Sequence, residues 1–197
     1  MLILGSRLLN SPIMSLQTGS QLASTLRPII DPSTLRILAY EVEGPLLTEK
    51  PSFLRIDDIR EYGRLGMIID GTDELIGLDD VIKIKEVYSL NFSLVGLNVI
   101  DTHKQKLGKI TDYTLDTGDF LIQQLNVKRG LFRGITDTGL LINRSQIVEV
   151  NDTSVIVRAP SIKNAEPLMQ SLRTDFVNPF RTQKPHVESS TPAAKAS

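Results

Sequence analysis

Apolar positions along this chain fall in short runs of alternating or continuous hydrophobicity, bounded by Gly, Pro, Asp and Asn, in two stretches of similar layout. The clearest run is Leu107 to Val127. A strand leads to Leu115, Asp116-Thr117-Gly118-Asp119 turns the chain, and a returning strand carries Phe120, Ile122, Leu125 and Val127. The turn has a mechanism, since Asp bonds its own backbone two residues on and Gly accepts positive φ. Leu22 to Val42 has the same layout around Asp31-Pro32-Ser33-Thr34. Shorter strands are predicted at Leu8–Leu16, at Ser52–Ile56 and at Leu65–Asp70. Pro12 assigns the first of these to a sheet edge.

Between the two stretches the period changes. Leu78, Val81, Ile82, Lys85 and Tyr88 recur at helical spacing within Glu74 to Leu90, and Asp79 and Asp80 suit a first turn. A short connector helix is predicted there, its apolar stripe packed on a strand layer.

The second stretch repeats the first. Leu9 corresponds to Leu94, Met14 to Val99, Leu22 to Leu107, Asp31 to Asp116, Ile37 to Ile122 and Val42 to Val127, at a constant offset of 85. Beyond them Leu54 corresponds to Ile142, Ile59 to Ile147 and Met67 to Val155 at an offset of 88, so the loop between is three residues longer in the second copy. A period this long implies duplicated domains rather than a solenoid. Each copy alone has a modest core, so the two are expected to pack together or share the helix.

The Leu-Gly-Lys-Ile-x-Asp-Tyr strand (Leu107–Tyr113), the Asp-x-Gly-x-Phe turn (Asp116–Phe120), the Leu-x-Val strand end (Leu125–Val127) and Leu141-Ile142-Asn143-Arg144-Ser145-Gln146-Ile147 resemble the PRC-barrel family. Residues 94–158 carry the pattern closely. Residues 8–70 carry it loosely, with Ala23 in place of the glycine and Pro28 inside the first hairpin strand. The resemblance implies an all-β fold of two tandem small PRC-type β-barrels that bind other macromolecules, with no catalytic residues to carry over. The expected boundaries are 1–73 for the first barrel, 74–91 for the helical connector, 92–160 for the second barrel and 161–197 for a flexible C-terminal tail. In the tail a short helix is predicted over 164–172, followed by disorder.

Composition narrows the chemistry. With no cysteine, thiolate metal sites and cysteine nucleophiles are excluded. No apolar run approaches the roughly 20 residues of a membrane span, so a cytoplasmic protein is expected. His103 sits in a turn and His186 in a polar stretch, neither with an evident catalytic partner. The phosphate-cradling Gly-rich loops are missing. Asp57-Asp58 and Asp79-Asp80 read as caps and first-turn charges. No catalytic residue, metal ligand or cofactor is expected.

Charge is uneven. Residues 1–95 carry 9 basic against 13 acidic side chains, whereas residues 96–160 carry 8 against 7. Lys128-Arg129-Gly130-Leu131-Phe132-Arg133 places three cations and an aromatic in one loop, a combination that grips phosphates and stacks bases. Lys128, Arg129, Phe132 and Arg133 are therefore the candidate partner-binding residues. The expected function is a non-catalytic adaptor for a protein or ribonucleoprotein, with direct RNA contact open. A ribosome-maturation or RNA-associated factor is the alternative, and a small-ligand carrier or enzyme the weaker one.

Overall fold

The computed structural model describes residues 1–129 and 139–158. The tail expected over 161–197 therefore lies outside the described residues. The described residues are all-β apart from one α-helix and a few 3-10 turns. The strands are β1 (Leu2–Leu4), β2 (Pro12–Ser15), β3 (Gln21–Asp31), β4 (Arg36–Glu43), β5 (Ser52–Arg55), β6 (Glu61–Gly63), β7 (Gly66–Ile69) and β8 (Leu75–Gly77). Helix α1 (Ile82–Ser89) follows, then β9 (Asn98–Asp101), β10 (Lys106–Asp116), β11 (Ile122–Lys128), β12 (Leu140–Asn143), β13 (Ile147–Val150) and β14 (Ser154–Val157).

The strands form two sheets, ordered β6-β7-β2-β3-β4-β5-β8 and β13-β14-β9-β10-β11-β12. The orders coincide strand for strand, with β8 added to the first sheet and β1 to the second. Both sheets have a parallel pair, β2 with β7 and β9 with β14. Both are open, because among the described residues no ladder joins β6 to β8 or β12 to β13. The second is nevertheless curled, as its connections require. The turn Arg144–Gln146 is all that separates the two end strands of the second sheet, so those ends lie within about 14 Å of each other.

Ladder register corrects the repeat in one place. Ile13 opposes Ala23 and Val99 opposes Gly108, so the counterpart of Val99 is Ile13, at an offset of 86. Burial agrees, since Ile13 and Val99 are both fully buried. Likewise the buried partner of Leu94 is Leu8, while Leu9 is 41% exposed. The first copy has one more residue in the turn between β2 and β3, and the offset of 85 starts only after it.

Two further expectations change. Pro12 does not mark an edge, because β2 lies between β3 and β7. Pro12 is the first residue of the strand and outside the β7 ladder, so its missing N–H costs no bond there. The helix starts later than its periodicity suggests. Leu75–Gly77 is a strand on β5, flanked by single turns in which Glu74 accepts from the Gly71 N–H and Asp80 from the Gly77 N–H, both at 2.8 Å. Carboxylates that close their own turns leave Val81, not an acid, at the helix cap.

One continuous apolar cluster runs through both halves. Ile37, Tyr40, Leu54 and Met67 of the first sheet belong to it together with Leu115, Ile122, Leu125 and Val155 of the second. A smaller cluster lies where α1 covers the first sheet, around Ile29, Ala39, Phe53 and Ile84. There the Phe53 and Tyr88 rings meet edge to face, 5.2 Å apart. The sheets also join through backbone. β1 pairs with β10, and the hairpin tips exchange bonds, with Ile37 N–H donating to Phe120 O at 3.1 Å and Ile122 N–H to Leu35 O at 3.0 Å.

Candidate functional site

The candidate loop begins where β11 ends. Lys128 is the last residue of that strand and Arg129 follows it, both exposed. Phe132 and Arg133 lie outside the described residues. The ladder adds a residue that loop composition did not suggest: Lys109 of β10 stands directly opposite Lys128. Two like charges opposed on neighbouring strands work against the sheet. Folding the hairpin about the Leu115–Ile122 pair brings them together, because the two register shifts along β10 cancel before Lys109 is reached. Lys104 and Lys106 are exposed on the same strand and the turn before it.

Side-chain pairing sharpens the contrast between the halves. In the first, Arg27 holds Glu41 at 2.6 Å, Arg55 holds Asp58 at 2.6 Å, Arg60 holds Asp70, and Lys85 holds Asp79 at 2.6 Å. In the second, backbone N–H groups, a hydroxyl and the amino terminus hold the carboxylates instead. Asp101 accepts from the N–H groups of His103 and Gln105, both at 2.8 Å, and Asp119 from that of Leu121 at 3.0 Å. Asp112 accepts from the Ser6 hydroxyl at 2.6 Å, and Asp116 from the amino terminus at 2.9 Å. The Gly118 N–H and then the amino terminus hold the Asp116 carboxyl below its ordinary value. Lys104, Lys106, Lys109 and Arg129 form no ion pair among the described residues. A net charge close to neutral thus hides a cationic end on the second sheet.

A cleft of about 270 Å³ lies at the seam, lined by Gly5, Leu26, Arg27, Phe92, Val95 and Tyr113 among others. Its charged groups are engaged. Arg27 stacks over the Tyr88 ring, 4.8 Å from its centre, besides bonding Glu41, and Asp112 is held by Ser6. His103 is exposed in its turn, and its backbone N–H is bonded to Asp101. Among the described residues no three His, Asp or Glu side chains converge as metal ligands, and no helix is long and apolar enough to cross a membrane.

The strand order of the second sheet, its Asp-x-Gly hairpin and its parallel closing pair lie within a segment, residues 86–163, that matches the family model of the PRC-barrel domain. Over that segment the chain is similar to PRC-barrel domains. The match includes the cationic end of β10 and β11 and leaves the first sheet outside. No curated protein matches the chain.

Proposed function

We propose that this protein is a non-catalytic adaptor, built of a PRC-barrel domain and a diverged copy of it, that binds an acidic protein or a ribonucleoprotein through the cationic end of the second sheet. The observation that supports this most is the cross-strand pair Lys109–Lys128, beside Arg129 and at the mouth of the candidate loop. Beside that pair Lys104, Lys106 and Arg129 are exposed too, and cations gathered at one end of a sheet attract an anionic partner. Phosphates or carboxylates both satisfy the geometry. The reading of the first half as a second copy rests on the coincident strand order and on the paired turn residues.

Affinity purification of the full chain from its native cell, followed by mass spectrometry, supplies the partner. The charge reversals Lys109→Glu, Lys128→Glu and Arg129→Glu together are expected to abolish its recovery while circular dichroism remains unchanged. If the partner is a ribonucleoprotein, co-sedimentation falls log-linearly with salt, with a slope of about 0.7–0.9 for each phosphate contacted. Recovery unaffected by all three reversals refutes the proposal.

A further inference from the structure

The two sheets differ at one edge. In the first, β8 covers the outer edge of β5, with Ser52 opposite Gly77, Phe53 opposite Ile76 and Leu54 opposite Leu75. The strand equivalent to β5 in the second sheet is β12, since Leu54 pairs with Tyr40 as Ile142 pairs with Leu125. Among the described residues nothing pairs with the outer edge of β12. The side chains record the difference. Phe53 is fully buried beneath β8 and α1, whereas its counterpart Leu141 is 56% exposed.

The other sheet ends are protected, and among the described residues β12 is not. β6 is three residues long and carries Glu61, β8 is three residues long and flanked by acidic turns, and β13 carries Glu149 at a register shift. Charges, shortness and bulges are the usual devices against strand addition. β12 reads Leu-Leu-Ile-Asn, with no charge, proline or register shift.

We infer that the outer edge of β12 is a docking site for an extended peptide segment of a partner protein, which adds antiparallel as β8 adds to β5. The chain itself supplies the template for the occupant. An aliphatic residue in the place of Ile76 opposes Leu141, a second in the place of Leu75 opposes Ile142, and a glycine or other small residue opposes Leu140. Main-chain bonds supply affinity and the alternating side chains supply selectivity. Acidic residues following the apolar pair, as Asp79 and Asp80 follow β8, would run toward the end of the sheet that bears Lys128 and Arg129. The inference goes beyond the cationic site and stands on different residues.

The test uses the full chain with Leu141→Cys, which introduces the only thiol in the molecule, carrying an environment-sensitive fluorophore. The probe is a synthetic peptide of residues 73–79, Asp-Glu-Leu-Ile-Gly-Leu-Asp, and its Ile76→Pro form. A saturable blue shift is expected with the first peptide, and at least about tenfold weaker binding with the second, the size of one lost ladder bond or more. Slowed amide exchange across Leu140–Ile142 should accompany it in the unlabelled protein. Absence of a saturable shift overturns the inference. So does a thiol in the Leu141→Cys variant that resists labelling reagents in the dilute free chain, because the edge is then already covered by the chain itself. A shift that follows protein concentration rather than peptide assigns the edge to a second copy and equally overturns it. Lys109→Glu, Lys128→Glu and Arg129→Glu leave the core of this peptide contact intact, so the two proposals fail separately.

Discussion

The closest resemblance between the halves lies in single residues that are costly to place. Leu35 and Phe120 occupy equivalent positions after the hairpin turns, with φ of 52° and 53°, and each is 3% exposed. The left-handed conformation costs a side-chain-bearing residue about 1–2 kcal/mol. Here it turns each carbonyl toward the opposite hairpin, where Ile122 and Ile37 donate to it. Phe120→Ala is therefore expected to lose about 3–5 kcal/mol in urea unfolding, because the burial disappears while most of the strain remains. Tyr40 predicts the opposite sign. Its hydroxyl is buried without a hydrogen-bond partner among the described residues, and burial pushes the phenol well above its ordinary pKa. Tyr40→Phe should stabilise the protein by about 1 kcal/mol, visible as a higher urea midpoint at unchanged slope. Asp31 connects this scale to pH. Burial raises its pKa, but hydrogen bonds from the Ser33 hydroxyl and N–H outweigh that and hold it below its ordinary 3.8. A carboxyl depressed in the folded state contributes stability above its unfolded pKa and loses it as pH falls through the folded one. Asp31→Asn should therefore flatten the loss of stability below pH 3.8, as followed by urea midpoints across acid pH.

At the scale of elements, equivalent strand crossings are relieved by glycine on opposite strands. A Cβ on Gly108 of β10 would lie 2.3 Å from the Lys128 carbonyl oxygen of β11. In the first sheet Ala23 stands at the position of Gly108, and the close approach is instead made by Gly44, just past β4. A Cβ there would lie 2.4 Å from the Leu22 oxygen. Where the first sheet has Ala23 in place of a glycine, it thus has a glycine across the ladder. β1 shows how an element joins the halves. It pairs Leu2, Ile3 and Leu4 with Asp116, Leu115 and Thr114, so the first residues of the chain belong to the second sheet. Deleting residues 1–4 should speed amide exchange in Thr114–Asp116 while leaving β5 and β8 protected. Equal deprotection of both sheets would count against that assignment.

For the whole molecule, the shared cluster decides cooperativity. Met1–Pro160 forms one compact unit, and side chains of both sheets belong to its core. A single unfolding transition is expected, with calorimetric and van't Hoff enthalpies in agreement. Residues 1–91 alone should melt at a lower temperature and less sharply, having lost every partner from the second sheet. Two resolved transitions in the full chain would contradict the shared core. Charge is divided on the same scale, with Arg27, Arg55, Arg60 and Lys85 held by carboxylates in the first half, and Lys104, Lys106, Lys109 and Arg129 of the second exposed and in no ion pair among the described residues.

What the sequence determined by itself was local and repetitive: hairpins marked by Asp and Gly, alternating apolar strands, a change of period at the helix, and a second copy of the pattern. Such features follow from propensities of neighbouring residues, which act over a few positions. Lys128 and Arg129 were singled out in the same way, by local composition. Lys109 was not, because it lies 19 residues from Lys128 in sequence and stands opposite it only through two register shifts that cancel. Nor could local pattern tell that Leu75–Gly77 leaves the helix to cover β5, that β1 crosses to the second sheet, or that no described strand covers the outer edge of β12. Those outcomes depend on which strand ends meet in space, and contacts between distant segments decided them.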